Sequence, residues 1–128
     1  MIEEIKKLFD AAVKVRENSY SPYSKFKVGA ALECESGEIY TGTNVENASF
    51  GATVCAERIA IFKAVSEGEK KFKRIVLVAD TEKPPSPCGV CRQVMSEFNS
   101  ELEIYMCNLK GDCKKVTLLE IFPEQFRL

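Results

Sequence analysis

Cys55-Ala56-Glu57 and, further along, Pro87-Cys88-Gly89-Val90-Cys91 are the residues whose types and spacing could do chemistry. Together they offer three thiolates and one carboxylate to a single metal. A structural zinc is closed by four protein ligands, whereas three leave a coordination position for water, so Cys55, Cys88 and Cys91 read as the ligands of a catalytic zinc. A carboxylate two residues from a ligand can then move that water's proton. The chain has no histidine, which excludes Ser-His-Asp and Cys-His mechanisms and leaves a carboxylate, Lys, Tyr or Cys as general base. Glu57 is the best placed of these.

Two helix starts must position the set. From Val54 to Val65, apolar residues at Val54, Ile59/Ala60, Ile61/Phe62 and Val65 predict a helix with Cys55 in its first turn. Pro87 introduces a second helix whose buried stripe is Val90, Val94, Met95 and Phe98, with Cys88 and Cys91 three apart on one face. Helix N-termini carry partial positive charge, and two such ends meeting would help hold the cysteines as thiolates. Three thiolates on a dication leave net negative charge. Arg58 can offset it by donating to the sulfurs, or can equally be a surface arginine; Arg92 has a weaker claim to the same role.

Four segments in this order resemble one family. Cys55-Ala56-Glu57-Arg58 with Pro87-Cys88-Gly89-Val90-Cys91-Arg92-Gln93, preceded by Phe26-Lys27-Val28-Gly29-Ala30-Ala31 and Asn44-Val45-Glu46-Asn47-Ala48-Ser49, is similar to the small homotetrameric zinc-dependent cytidine deaminases. The resemblance covers nearly the whole chain. It implies one Zn2+ per chain, a nucleoside substrate and a homotetramer. It also implies that Asn44 and Glu46 bind the ribose, that Phe26 lines the pyrimidine pocket, and that backbone groups at Ala56 and Ser86 meet the base's O2 and exocyclic amine. Phe126 resembles the aromatic that reaches a neighbouring subunit's site. Phe50 stands where the family commonly has tyrosine.

The implied reaction is hydrolytic deamination of cytidine or 2′-deoxycytidine to the uridine product and ammonia, part of pyrimidine salvage. Glu57 takes a proton from zinc-activated water, passes it to ring N3, and later delivers one to the departing amine. The nearest rival is a deaminase of cytosine-nucleoside antibiotics such as blasticidin S. A redox use of Cys88-Gly89-Val90-Cys91 gives no reason for Cys55-Ala56-Glu57. A polynucleotide-editing deaminase is disfavoured by the absence of tryptophan for stacking single strands.

Composition agrees. The chain's 128 residues predict a single domain spanning 1–128. A formal charge of −1 and a pI near 5.6 argue against nucleic acid as a partner. Lys70-Lys71-Phe72-Lys73-Arg74, the one dense basic run, reads as a solvated connection. No apolar stretch is long enough to span a membrane, and the N-terminus reads as an amphipathic helix, so a cytoplasmic protein is expected. With three cysteines on the metal, Cys34, Cys107 and Cys113 remain, an odd number that predicts reduced thiols.

Along the chain, Ile2, Ile5, Leu8/Phe9 and Ala12/Val13 predict a first helix that ends at Ser19–Ser24. Lys27 to Cys34 and Ile39 to Val45 read as a hairpin turning at Ser36-Gly37. Helix, strand Ile75 to Ala79, helix, strand Leu102 to Cys107 and a short last helix from Thr117 to Phe122 follow. The expected fold is an α/β, three-layer cytidine-deaminase-like domain. It has a mixed β-sheet covered by helices, an antiparallel hairpin leading into βαβ units, and its site outside the carboxyl ends of the strands.

Overall fold

Ile5, Leu8, Phe9 and Ala12 share the buried stripe of helix α1 (Glu3–Arg16) in the computed structural model, which describes all 128 residues. Ile2 lies outside that stripe, exposed at the N-cap. Gly29-Ala30-Ala31-Leu32 is buried within β1 (Val28–Cys34), as expected of a strand covered on both faces. Strand β2 (Ile39–Thr43) turns back on it antiparallel, with Gly29 opposite Thr43 and Glu33 opposite Ile39.

The remaining elements are α2 (Ala56–Ser66), β3 (Phe72–Ala79), α3 (Gly89–Phe98), β4 (Glu103–Asn108), β5 (Cys113–Thr117) and α4 (Leu118–Ile121). They complete one five-stranded sheet in the order β2-β1-β3-β4-β5. β3 runs antiparallel to β1 and parallel to β4, with α3 as the crossover. The alternation of strands and helices therefore yields the predicted mixed sheet. Helix α1 packs on one face over Ala31, Val76, Val78 and Cys107. Helices α2 and α3 cover the other, over Ala30, Leu32, Ile75, Leu77 and Ile104.

Small residues bring α2 down onto the sheet. Ala56, Ala60 and Ala64 recur every fourth residue and are fully buried, so the contact stripe is narrow and close. At Gly42 a Cβ would lie 2.5 Å from both the Ala56 carbonyl oxygen and the Ala60 nitrogen. Glycine there sets how near the start of α2 sits to β2.

Of the pair Ile61/Phe62, Ile61 takes the buried face of α2 and Phe62 is 47% exposed. Four expectations need correction. Val90 is 57% exposed; Cys91 and Met95 take the inward positions of α3. The basic run is not merely a connection, since Phe72 opens β3 as a core residue and Arg74 pairs with Glu33 across the strands at 3.4 Å. Strand β5 was not foreseen: only Val116 of its five residues is buried. Finally, Cys107 and Cys113 are joined by a disulfide and are not reduced thiols. They are register partners across β4 and β5, with Cα atoms 4.1 Å apart, and only Cys34 remains of the odd three.

Candidate active site

Both predicted helix starts converge beyond the carboxyl ends of β2 and β3. Cys55 is the N-cap of α2 and not a first-turn residue, and Cys88 is the N-cap of α3, with Cys91 one turn in. Neither helix has a side-chain cap, so the partial positive ends of both face the sulfur cluster without an oxygen in between. The Cys55 and Cys88 Sγ atoms are 3.7 Å apart and those of Cys88 and Cys91 3.4 Å; all three lie within 4.8 Å of one another. Tetrahedral thiolates with zinc–sulfur bonds near 2.3 Å stand about 3.8 Å apart, so the cluster fits a zinc ion.

Electrostatics favour that use. The Cys55 thiol is lowered to about 5, first by the hydrogen bond from Cys91 and then by Arg58, whose Nη2 donates to Cys55 Sγ at 3.5 Å. Cys91 keeps its proton, held up by that shared bond and by burial. A bound dication would displace it. Arg58 thus takes the sulfur-donating role rather than that of a surface arginine. Arg92 makes no hydrogen bond to sulfur; its partners are oxygens.

Glu57 follows Cys55 by two residues and is 5% exposed. Burial pushes its carboxyl up to about 7, against the opposing pull of a backbone N–H. It lines a cleft of about 280 Å³ together with Phe26, Asn44, Glu46, Ala56 and Ser86, and with Cys55 and Cys88 of the sulfur cluster. Cys91 lies fully buried, off the cleft wall.

Asn44 and Glu46 are held beyond the end of β2 by backbone pairing. Val45 exchanges hydrogen bonds with Val54 at 2.9 and 3.0 Å, and Glu46 N–H donates to the Tyr20 carbonyl at 2.8 Å. Their side chains build the opposite wall. Asn44 Oδ1 accepts from Ser19 Oγ at 2.7 Å and from Val28 N–H at 2.9 Å, while Nδ2 donates to the Phe26 carbonyl at 2.7 Å. Glu46 Oε1 accepts from the backbone N–H groups of Tyr23 and Ser24 at 2.9 and 3.1 Å, and Oε2 accepts from the Ser24 hydroxyl. Ser24 Oγ in turn accepts from Phe26 N–H at 3.0 Å. The intervening Lys25 adopts φ 60°, a left-handed conformation uncommon for a non-glycine residue and found at functional sites. A carboxylate offers about four acceptor positions and an amide two donors. Glu46 therefore retains one acceptor and Asn44 one N–H for a ligand.

Ser24 is the residue that sequence reasoning missed. Its signal was the polar cluster Ser19-Tyr20-Ser21-Pro22-Tyr23-Ser24, which reads only as the end of α1. Phe126 is not brought to the cleft. The tail runs along α3, where Gln93 Nε2 donates to the Phe126 carbonyl at 3.2 Å and the ring stays 64% exposed. Phe50 is 86% exposed on a 3₁₀ turn, Phe50–Ala52, beside a depression that shares Ser24, Glu46 and Thr53 with the cleft.

Comparison with known proteins agrees with this geometry. A cytidine deaminase of Sporosarcina psychrophila is 52% identical over 124 residues, covering 96% of this chain and 91% of its own. The crystal structure of cytidine deaminase from Burkholderia pseudomallei superposes with a TM-score of 0.92 at 43% identity, covering 98% of this chain and 100% of that one. A blasticidin-S deaminase of Bacillus cereus is more distant, 34% identical over 111 residues and covering 80% of this chain and 79% of its own. Residues 2–107 match the cytidine and deoxycytidylate deaminase zinc-binding region, the stretch that carries the three sulfurs and Glu57, and the chain therefore belongs to the cytidine deaminase family.

Proposed function

We propose that this cleft performs the hydrolytic deamination of cytidine and 2′-deoxycytidine to uridine and 2′-deoxyuridine with release of ammonia, a step of pyrimidine salvage. The observation that carries the reading is a buried carboxylate, Glu57, in one cleft with a three-sulfur cluster that fits zinc. Cys55, Cys88 and Cys91 hold one Zn2+ per chain. When bound, the ion supplies Lewis acidity, making hydroxide available from water near neutral pH.

The chain's own groups do the rest. Glu57 takes the proton of water entering the cleft and passes it to ring N3, which makes C4 electrophilic. Hydroxide adds at C4, Glu57 takes the remaining proton from the new C4 hydroxyl and delivers it to the exocyclic amine, and ammonia leaves as the C4 carbonyl forms, so one carboxylate is base and then acid. Arg58 draws charge from the Cys55 sulfur. Glu46 and Asn44 use their remaining acceptor and donor on the ribose, Phe26 packs on the pyrimidine, and backbone groups at Ala56 and Ser86 meet the base's O2 and amine.

Residues 1–128 act as one domain in the cytoplasm. The partner is a small nucleoside, not nucleic acid. The chain assembles as a homotetramer in which Phe126, turned away from its own cleft, closes a neighbour's. Loss of cytidine's ultraviolet absorbance with purified protein tests the reading. Turnover of cytidine and deoxycytidine in preference to blasticidin S is expected. Turnover of blasticidin S alone would assign the cleft to the antibiotic instead.

A further inference from the structure

Arg92 follows the third sulfur on the first turn of α3, and its guanidinium reaches three oxygens on two separate stretches of chain. Nε donates to the Pro87 carbonyl at 2.9 Å, Nη2 to Ser86 Oγ at 2.9 Å and Nη1 to the Ile121 carbonyl at 2.6 Å. Ile121 is the last residue of α4. Ser86 lines the substrate cleft and Pro87 immediately precedes the ligand Cys88. No backbone hydrogen bond ties residues 83–87 to the rest of the chain. The other side-chain ties nearby are at the far end of the loop, from Thr81 Oγ1 to the Lys83 carbonyl and from Asn108 Nδ2 to the Glu82 carbonyl at 3.0 Å.

One cation therefore fastens a wall of the cleft to the carbonyl end of α4. Only a planar fork can do this, because three acceptors in different directions need donors fixed in one plane, and an ammonium on a flexible stem cannot reach them together. By accepting from Arg92, Ser86 Oγ also leaves its own O–H free to donate elsewhere. Resting on the deaminase reading, we infer that Arg92 is a positioning residue for the reaction: it holds the Ser86–Pro87 segment at a set distance from the sulfur cluster. Its part is distinct from that of Arg58, which acts on sulfur.

The test uses the full chain carrying Arg92→Ala or Arg92→Lys, with zinc per chain, thermal midpoint, kcat and KM for cytidine measured on each. Both variants should keep their zinc. Per zinc-loaded site, Arg92→Ala should lower kcat/KM roughly ten- to a hundredfold, with a raised KM, because a misplaced cleft wall costs rate even when the chemical groups are intact. Arg92→Lys should recover only part of the loss, and it serves as the test on its own if Arg92→Ala does not fold. Unchanged kcat and KM would overturn the inference. So would an unchanged KM with a kcat that falls only in step with the folded, zinc-loaded fraction, or full recovery by lysine. Wild-type turnover, measured first, judges the deaminase reading separately; an inactive wild type overturns both.

Discussion

Glu57 is the group on which the chemistry turns, and its surroundings separate its role from that of the sulfurs. Burial raises its carboxyl to about 7, while a cation held by the three sulfurs would pull it back toward the charged form. Glu57→Gln keeps the shape and removes the proton carrier. It should retain zinc as wild type does and lose roughly a hundred- to ten-thousandfold in kcat. Zinc analysis of that variant is decisive, because loss of the metal would make Glu57 a ligand and the three-thiolate assignment wrong. At the sugar side, the Ser24 hydroxyl is the first cause holding the Glu46 carboxyl below its ordinary range. A lowered value means that the carboxylate persists as pH falls, so Ser24→Ala should move its protonation to higher pH. The KM for cytidine should then rise about two- to tenfold, and its increase toward acid should begin at a higher pH, read from KM measured across the acidic range. The clustering of the three sulfurs beside Glu57 was legible because few chemistries place those residue types at that spacing. Ser24 was not, because a serine two residues from a proline has the same signature in any turn.

Helix α2 carries Cys55 and Glu57, and its height above the sheet depends on the close approach at Gly42. A methyl there meets backbone at 2.5 Å, and backbone cannot give way as a flexible side chain does. Gly42→Ala should therefore destabilise the fold by about 3 kcal/mol and lower zinc retention with it, measurable by denaturant unfolding beside metal analysis. An equally stable Gly42→Ala would mean that α2 is free to shift. The elements themselves were readable to different degrees. Helix α1 announced itself through Ile5, Leu8, Phe9 and Ala12, and β1 through an unbroken small-apolar run. Strand β5 did not, since Cys113-Lys114-Lys115-Val116-Thr117 lies at the sheet edge, where lysines blunt further pairing and only Val116 packs inward. The same pairing explains the disulfide. Counting cysteines leaves Cys107 and Cys113 unpaired, and only the β4–β5 register puts them opposite each other. Val90 misled because the inward face of α3 falls on Cys91, one position away from it, and on Met95.

Exposed apolar side chains gather around the mouth of the cleft, with Phe50 on its turn, Tyr23 beside Glu46 and Phe26 on the rim. Such a patch fits the contact surface that the proposed homotetramer requires. A closed ring of copies would cover it and place one chain's Phe126 against the next chain's cleft. Chains carrying Glu57→Gln and chains truncated before Phe126 should each be inactive, while mixed oligomers of the two should regain activity, since an intact Glu57 can then borrow an intact tail. Verified mixed oligomers without recovery would place Phe126 in the service of its own subunit's stability. The central claim, that water activated in this cleft replaces the amine of a cytosine nucleoside, is tested most directly by incubating the zinc-loaded protein with cytidine in water enriched in oxygen-18. The account predicts uridine carrying the heavy oxygen at the 4-position and an equal amount of ammonia; cytidine left unchanged by protein whose three sulfurs hold their metal would contradict it.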